Sequence, residues 1–364
     1  MTVPLGPGLL GPGPLGPGPL GPGPLGPARP LGFGLVGCGV ISETYAAALD
    51  GLSGGQLVAV TDVDAERAAK FAADHNTAAA GTLEQLLSRA DVDVVCVCVP
   101  SGLHAEVGLA AARAGRHVVV EKPIDISLGA ARSLIDGARA CGVSLTVISQ
   151  QRYNPGVQRA KALIDQGRLG RLVEVSACVA WYRSQAYYDS AGWRGTWELD
   201  GGGAFMNQGV HYADLVCWLC GPPVVLSATC AALAHQIDVE DVALALLRFG
   251  EGGLGVLEVT TCAYPGYQCG LRISGTKGTV VLEDGALVSA RFEGDDDEDE
   301  PGPGETGALK TPDAHRAQLA DIISAISSGR QPSVGGEDGY RALEFVLSVY
   351  SAAGWGPGAK RVKG

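Results

Sequence analysis

The stretch that decides the fold is LGFGLVGCGVIS, residues 31–42. It begins with an apolar run typical of a buried strand, and an Ala-rich amphipathic stretch follows it. Between them, two glycines permit a tight turn and a close approach of the backbone to a pyrophosphate, while Ser42 replaces the third glycine of the usual GxGxxG fingerprint. A plain turn with two glycines is the alternative. The stretch predicts a dinucleotide site at Gly37, Gly39, Val40 and Ile41, at the start of a helix.

The next predicted strand, QLVAVTD, ends at Asp62, about 25 residues after the first glycine. A carboxylate there accepts hydrogen bonds from the adenosine ribose hydroxyls and repels a 2′-phosphate. Asp64 is close by, and no arginine directly follows Asp62. The pattern therefore favours NAD over NADP as the cofactor.

Apolar runs alternate with amphipathic stretches through residues 31–150. Continuous Val-rich strands separated by helices are typical of a parallel sheet covered on both faces, so these residues are predicted to form a doubly wound α/β domain. Residues 151–364 have longer alternating segments with Gly-rich turns, which predict an α+β domain built on an open, mainly antiparallel sheet. Its closing helices are expected to pack back on the first domain. Helices are predicted near 42–50, 64–74, 82–89, 104–113, 127–140 and 155–166.

Composition excludes several classes of partner. The net charge of −12 and the pI near 5.0 argue against nucleic acid and anionic membranes, which both attract basic surfaces. The Gly/Pro-rich residues 1–30 are predicted to be a disordered tail, and the acidic loop 294–307 a solvated excursion. The ten cysteines lie mostly in apolar runs, which favours a reducing cytoplasm. The pair Cys217 and Cys220 lacks a second ligand pair, so no metal is expected.

Two further strand ends carry candidate cofactor residues. Pro100 and His104 follow the fourth predicted strand, and Glu121 and Lys122 follow the fifth. Ligands of doubly wound folds bind at this carboxyl edge of the sheet. A lysine beside a nicotinamide can stabilise the alkoxide that develops on a substrate hydroxyl. Taken alone, however, a lysine at a strand end is usually a solvated charge.

A polar and aromatic segment in the second half supplies the candidate base. Asn207, His211 and Asp214 have the i, i+4, i+7 spacing of one helix face. An imidazole that titrates near neutral pH can take a hydroxyl proton as hydride leaves, and Asn207 could orient it. A satisfied core histidine is the alternative. We interpret His211, Lys122 and Asn207 as the catalytic set.

Several ordered motifs together resemble the Gfo/Idh/MocA oxidoreductase family. They are EKP (121–123), QRYNP (151–155), the NxxxH of Asn207 and His211, and the ending HRAQLADIISAISSGRQPSVGGEDGYRAL (315–343). The resemblance extends from about Leu31 to Val362. It implies a Rossmann domain, then a domain with an open sheet whose outer face commonly makes oligomer contacts. It also implies Lys122 and His211 as the catalytic pair.

One departure from the family pattern points to a substrate. The commonest helix motif of the family is DxxxH, whereas this chain has Asn207 in the place of the aspartate. The segment 182–211 is similar to the branch that oxidises the C3 hydroxyl of UDP-N-acetylglucosamine derivatives, notably the uronate. Such anionic substrates need cations, which arginines can supply with forked hydrogen bonds, although arginines also pair with structural acids. The candidate substrate residues are Arg152, Tyr153, Asn154, Arg183, Trp193, Arg194, Gln208 and His211.

The resulting hypothesis is an NAD-dependent dehydrogenase of a sugar hydroxyl that forms a homodimer or homotetramer through its C-terminal sheet. Two alternatives stay open. One is another polyol, such as a free or phosphorylated sugar or inositol, because the fold and the catalytic pair do not fix the pocket. The other is a non-catalytic NAD-sensing regulator, against which the presence of both Lys122 and His211 counts.

Overall fold

The first half of the chain builds a parallel sheet with helices on both faces. The computed structural model describes residues 29–294, Ala308 and 312–358. The strands of this sheet are β1 (Leu31–Val36), β2 (Gly55–Thr61), β3 (Ala78–Ala79), β4 (Val94–Val97), β5 (His117–Val120) and β6 (Leu145–Val147). Their order is β3-β2-β1-β4-β5-β6, and each neighbouring pair is parallel. The predicted doubly wound α/β sheet is confirmed.

The helices of this half follow the predicted apolar periodicity closely. They are α1 (Val40–Leu49), α2 (Ala65–Asp74), α3 (Leu83–Ser88), α4 (His104–Arg113) and α5 (Leu128–Ala140). Side-chain caps start three of them, because Asp64, Thr82 and Ser127 each accept a hydrogen bond from a backbone N–H of the first turn. The strand order reverses between β1 and β4, so a crevice opens at the carboxyl ends of these two strands.

The second half builds an open sheet, as predicted. Its strands are β7 (Leu172–Ala180), β8 (Val224–Ala231), β9 (Val242–Phe249), β10 (Gly253–Thr260), β11 (Gly270–Gly275), β12 (Gly278–Glu283) and β13 (Ala286–Phe292). Their order is β13-β12-β11-β7-β10-β9-β8. Among the described strands of this second sheet, only β7 and β10 pair in parallel. Buried and exposed residues alternate along β9 and β10, so one face packs on helices and the other faces outward.

Helices cover the inner face of this sheet and return to the first one. They are α6 (Pro155–Asp165), α7 (Gln185–Asp189), α8 (Val210–Cys220), α9 (Asp313–Ser328) and α10 (Gly336–Ala352). Leu319, Ile322 and Ile323 of α9 share a buried cluster with Phe33 and Tyr45 of the parallel sheet and α1. Helix α10 packs on α8, and its Phe345 meets Phe205 of the turn before α8 edge-on at 5.6 Å between ring centroids. The closing helices therefore brace the elements that carry the candidate site.

Two predicted segments lie almost wholly outside the described residues. They are the Gly/Pro-rich tail 1–30 and the acidic loop 294–307. Arg29, which we had placed in the tail, is described and forms an ion pair with Asp93 at 2.7 Å. In the described ranges, every helix is too short or too polar to cross a bilayer. All ten cysteines are free thiols.

Candidate active site

The loop after β1 has the backbone geometry that a dinucleotide requires. Gly37 has φ +96°, and a Cβ there would lie 2.4 Å from the carbonyl oxygen of Cys98, so only glycine fits. A Cβ on Gly39 would meet nothing within 4 Å, which leaves open space above the N-terminus of α1. Val40 is 83% exposed at the same edge, and Ile41 is half-buried. These residues fit a pyrophosphate bound to the backbone N–H groups of the first helical turn.

Asp62 lies beside this loop and holds it in place. Its Oδ2 accepts a hydrogen bond from the N–H of Cys38 at 2.7 Å, and its Oδ1 accepts one from Asp64 at 2.8 Å. Each carboxylate oxygen keeps a second lone pair for a ribose hydroxyl. Arg67 of the first turn of α2 lies 3.6 Å from Asp62 and 3.3 Å from Asp64, a nearby cation that sequence reasoning did not anticipate because it does not directly follow Asp62.

The Glu121 carboxylate is buried and bonded within the protein, which corrects its assignment to the cofactor. Its carboxylate accepts hydrogen bonds from Tyr45 Oη at 3.1 Å and from the N–H of Lys122 at 3.2 Å. His315 of α9 lies 3.6 Å away. Burial alone would raise the pKa of Glu121, but His315 and Lys122 outweigh burial and lower it to about 2. Glu121 is therefore a buried anion that anchors the end of β5 to α1 and α9.

His104 is also a structural residue in this arrangement, and its assignment to the cofactor is corrected too. Its Nδ1 lies 2.7 Å from the carbonyl oxygen of Pro123, and its Nε2 lies 2.9 Å from that of Val99. The side chain is 1% exposed, so it has no surface to offer a ligand. It links the loops after β4 and β5. Pro100 precedes it and is half-buried at the carboxyl edge of the sheet.

Lys122 meets the second half of the chain at Asn207. Its Nζ donates to the backbone carbonyl of Asn207 at 2.9 Å and approaches Asn207 Oδ1 at 3.4 Å. The amide nitrogen of Asn207 donates to Asp200 Oδ1 at 2.6 Å. Burial is the main cause that lowers the pKa of Lys122, with Arg194 and Arg183 adding to it, while Glu121 and Asp200 act in the opposite direction. Asn207, which was expected to orient His211, is thus in direct contact with Lys122 instead.

The turn that carries Asn207 is not an α-helix. Residues Ala204–Gly209 form a π-helical turn, and α8 begins only at Val210. The expected i, i+4, i+7 face of one α-helix is therefore wrong in its first member. Glu240 accounts for the start of the wide turn, because its carboxylate accepts hydrogen bonds from the N–H groups of Gly203 at 2.9 Å and Phe205 at 2.8 Å. Burial raises the pKa of Glu240 to about 7.

His211 and Lys122 line the same small cavity between the two sheets, together with Pro123, Ser149 and Asp214. Burial and the charge of Lys122 lower the pKa of His211 to about 3. The imidazole is therefore unprotonated across the ordinary pH range, rather than titrating near neutrality as expected. It is free to accept a proton, and the positive charge around it makes it a weak base in the free protein.

Two arginines surround an aromatic ring next to Lys122. The Cζ atoms of Arg183 and Arg194 lie 5.0 Å and 4.5 Å from the centroid of Tyr187. The Nη1 of Arg194 donates to Tyr187 Oη at 2.7 Å, while Gln208 Nε2 lies 3.4 Å from the same oxygen. Trp193 stacks on Arg194 at 4.6 Å. The structure thus brings together four of the predicted substrate residues, namely Arg183, Trp193, Arg194 and Gln208.

The other predicted substrate arginine has a structural role. Arg152 is 4% exposed, and each nitrogen of its guanidinium has a carboxylate partner: Asp214 at 2.6 and 2.8 Å, and Asp338 at 3.2 Å. Tyr153 Oη donates to Asp321 at 3.0 Å, and Asn154 is 1% exposed. We correct the assignment of these three QRYNP residues to the substrate, because Arg152 and Tyr153 bind carboxylates of α8, α9 and α10, and the amide of Asn154 donates to Gln151 Oε1 at 2.6 Å.

One group of potential metal ligands lies outside this site. His235, Asp241 and Cys262 place ligand atoms within 4.8 Å of one another. The carboxylate of Asp241 already accepts hydrogen bonds from three successive N–H groups, those of residues 233–235. His235 Nε2 lies 2.7 Å from the carbonyl oxygen of Arg183. In this structure the group acts as a support for the chain segment that carries Arg183.

Sequence reasoning missed Asp200, Tyr187 and His315. Asp200 directly precedes Gly201-Gly202-Gly203, and this position before the catalytic turn is a signal that could have identified it. Tyr187 lies within the aromatic segment that the sequence indicated as a whole. His315 comes from a helix more than 100 residues beyond His211, and no local pattern connects the two.

Family models match both halves of the chain. The oxidoreductase family with the NAD-binding Rossmann fold matches residues 31–149, and the GFO/IDH/MocA C-terminal domain matches residues 157–281. The chain belongs to the Gfo/Idh/MocA family of oxidoreductases. It is an NAD-binding enzyme of this family, as the glycine loop and Asp62 indicate.

Relatives with known names are sugar and polyol enzymes. The WlbA dehydrogenase from Bordetella pertussis, crystallised with NADH and UDP-GlcNAcA, is 33% identical over 89% of this chain and 96% of its own, with a TM-score of 0.81. The 1,5-anhydro-D-fructose reductase of Ensifer adhaerens is 28% identical over 90% of this chain and 98% of its own. The inositol 2-dehydrogenase of Rhizobium meliloti is 27% identical over 86% and 94%. The chain is thus similar to dehydrogenases that act on different sugars and polyols.

Proposed function

We propose that this enzyme oxidises a secondary hydroxyl of an anionic sugar, namely C3 of a UDP-N-acetylated sugar or its uronate, with NAD as acceptor. The observation that carries the proposal is the pair Arg183 and Arg194. Among the described residues, each has a buried Nε without a hydrogen-bond partner, and its Nη1 donates only to a neutral oxygen, the carbonyl of Tyr182 for Arg183 and Tyr187 Oη for Arg194. Both side chains are half-buried, and carboxylate or phosphate oxygens match the forked donors of a guanidinium group. The complex of the Bordetella relative with UDP-GlcNAcA supports this substrate class.

The chemistry assigns one role to each member of the catalytic set. NAD, when bound, accepts the hydride. His211 takes the hydroxyl proton on its imidazole, which is unprotonated in the free enzyme. Lys122 Nζ donates a hydrogen bond to the substrate oxygen and stabilises its developing negative charge. Asn207 holds Nζ through its two oxygen acceptors.

A neutral polyol is the second candidate substrate, because several relatives are named inositol 2-dehydrogenases. The same catalytic set would oxidise a ring hydroxyl of inositol. Arg183 and Arg194 would then keep unpartnered buried nitrogens with the substrate bound, which costs free energy. This cost favours the anionic sugar.

The outer face of the second sheet supports a homo-oligomer. Exposed apolar side chains follow one another there, with Leu246 directly opposite Val256 and with Leu244 and Leu254 beside them. A contiguous apolar face of this kind marks a protein interface. We propose that a second copy covers it in a homodimer or homotetramer. Leu246→Lys would shift the mass measured by light scattering toward the monomer, whereas an unchanged oligomer would place the interface elsewhere.

We also propose that the chain divides near Gln150 into a cofactor domain, residues 31–150, and a substrate domain, residues 151–364. The ranges of the two family models, 31–149 and 157–281, support this boundary. We place the protein in the cytoplasm, since its ten cysteines are free thiols that an oxidising compartment would pair.

The test is a substrate panel. The purified enzyme is incubated with NAD and, in turn, UDP-N-acetylglucosaminuronate, UDP-N-acetylglucosamine, glucose 6-phosphate and myo-inositol, and the absorbance of reduced nicotinamide is followed. Turnover of a nucleotide sugar that is lost in Lys122→Ala and His211→Ala supports the proposal.

Arg194→Gln should raise KM for the nucleotide sugar about tenfold or more, as expected for a lost charged hydrogen bond. Arg113→Gln, the same change at an exposed position of α4, is the matched control. Turnover of myo-inositol alone would refute the anionic substrate.

A further inference from the structure

Asp200 is a buried carboxylate that binds Asn207, the residue in contact with Lys122. It is 2% exposed and belongs to the loop before the π-helical turn. Its Oδ1 accepts a hydrogen bond from Asn207 Nδ2 at 2.6 Å, and its Oδ2 accepts one from the N–H of Gly195 at 2.8 Å. An acid buried in this way persists only where its hydrogen bonds and neighbouring charges stabilise it.

The bond to Asp200 decides which way the amide of Asn207 points. A carboxylate accepts only, so the NH₂ group of Asn207 must face Asp200. The amide oxygen then points toward Lys122 Nζ, at 3.4 Å, while the backbone oxygen of the same residue accepts from Nζ at 2.9 Å. The three side chains form one directed chain, from ammonium to amide to carboxylate.

The chain of contacts also balances charge around Lys122. Burial, Arg194 and Arg183 disfavour the protonated ammonium group, and of the neighbouring groups Glu121 and Asp200 favour it. Glu121 is held by Tyr45 and lies near His315. Asp200 is therefore the anion that is linked to Lys122 through Asn207, the residue that contacts Nζ.

We propose that Asp200 is a positioning residue that, through the amide of Asn207, orients Lys122 and keeps its ammonium group protonated for the reaction. This inference rests on the proposed role of Lys122 in oxidising a sugar hydroxyl. It assigns to position 200 the carboxylate that position 207 lacks.

The geometry predicts that carboxylate and amide can exchange places. In Asp200→Asn, Oδ1 of the new side chain accepts from Gly195, and its NH₂ group meets the NH₂ group of Asn207. Asn207 must then turn over and direct donors at the ammonium of Lys122. In the double variant Asp200→Asn/Asn207→Asp, the new amide donates to the new carboxylate, which accepts from Nζ directly. Every donor again has an acceptor.

Kinetics with the best substrate of the panel tests this exchange. Asp200→Asn should lower kcat about 100-fold, the scale of a catalytic group misplaced by about 1 Å, with a smaller change in KM. The double variant should recover kcat to within about tenfold of wild type. Burial raises the pKa of Asp200 to about 6, so wild-type activity should fall below about pH 6, and this limb should vanish in Asp200→Asn. Asp50→Asn, an exposed carboxylate on α1's C-terminal side, is the matched control.

A second measurement does not need turnover. Competitive acetylation across a pH series, read by mass spectrometry, gives the pKa of Lys122 in each variant. Loss of a nearby anion should lower this pKa in Asp200→Asn, and the double variant should restore it. If no sugar is oxidised by wild type, the proposed function fails while this measurement still decides the role of Asp200. An unchanged pKa and kcat in a folded Asp200→Asn, or a double variant no better than the single one, would overturn the inference.

Discussion

Replacing Arg152 with alanine tests whether this arginine stabilises the fold or binds the substrate. The residue lies in the QRYNP motif before α6. It joins this segment to two helices by binding Asp214 of α8 and Asp338 of α10. The side chains of Arg152 and Asp214 are only 4% and 6% exposed. Arg152→Ala leaves a buried carboxylate without its cation, which costs about 3–5 kcal/mol. With an m-value of about 3 kcal/mol/M for urea, the unfolding midpoint should fall by about 1–2 M.

The stability lost in Arg152→Ala should depend on pH. Burial already raises the pKa of Asp214 against the opposing charge of Arg152. Without Arg152 the pKa of the folded state rises further above the unfolded value, so the folded state binds the extra proton and stability is lost as pH rises through that interval. The loss measured in Arg152→Ala should therefore be smaller at pH 5 than at pH 8.

Urea unfolding followed by tryptophan fluorescence, alongside substrate kinetics, provides the assay. Arg132→Ala is the matched control, because Arg132 pairs with Glu337 on the surface and exposed pairs contribute about 0–1 kcal/mol. The double variant Arg152→Met/Asp214→Leu should be more stable than Arg152→Ala, since it leaves less uncompensated charge. A wild-type unfolding midpoint together with a strongly raised KM in Arg152→Ala would refute the reasoning and return Arg152 to the substrate.

Three glycine substitutions give further predictions. Gly37→Ala should lose both stability and NADH affinity in fluorescence titrations, because its φ is +96° and its Cβ would lie 2.4 Å from the oxygen of Cys98. Gly39→Ala, with open space around its Cβ, should keep its melting temperature and weaken only NADH binding; a wild-type NADH affinity in Gly39→Ala would contradict the placement of the pyrophosphate. Gly203→Ala should destabilise by about 1–3 kcal/mol and lower kcat, because its Cβ would lie 1.7 Å from the carbonyl oxygen of Glu240; wild-type kinetics would show that the π-helical turn is dispensable.

The sequence predicts this fold well where local patterns set the structure. Helix α4 covers residues 104–113 as expected, and the glycine loop lies between a strand and a helix. Such elements follow from apolar periodicity and turn chemistry, which neighbouring residues carry. The same reasoning placed Lys122 at the carboxyl edge of the parallel sheet, where ligands of such folds bind.

Long-range partners decided the features that sequence reasoning assigned wrongly. Arg152 was expected at the substrate, yet Asp214, 62 residues later, captures its guanidinium. The turn around Asn207 was expected to be α-helical, yet Glu240 on the loop before β9 binds its first N–H groups. His104 was assigned to the cofactor, yet carbonyl groups of two loops enclose it. Sequence spacing gives residue types and faces, whereas the choice between a ligand and a structural partner depends on tertiary neighbours.

The charges around His211 make its pKa depend on the charge of the bound substrate. Burial, Lys122 and His315 all lower the pKa of His211, and Glu121 alone opposes them among the groups that act on it, so the free enzyme holds this pKa at about 3. Arg183 and Arg194 add further positive charge near Lys122. An anionic substrate brings negative charge next to Lys122 and thereby raises the pKa of the His211 imidazole as it binds. We therefore expect an anionic sugar to exceed its neutral analogue in kcat as well as in affinity, measured as separate kcat and KM values for UDP-N-acetylglucosaminuronate and UDP-N-acetylglucosamine. Equal kcat values for the two, with only KM different, would show that the substrate charge serves binding alone.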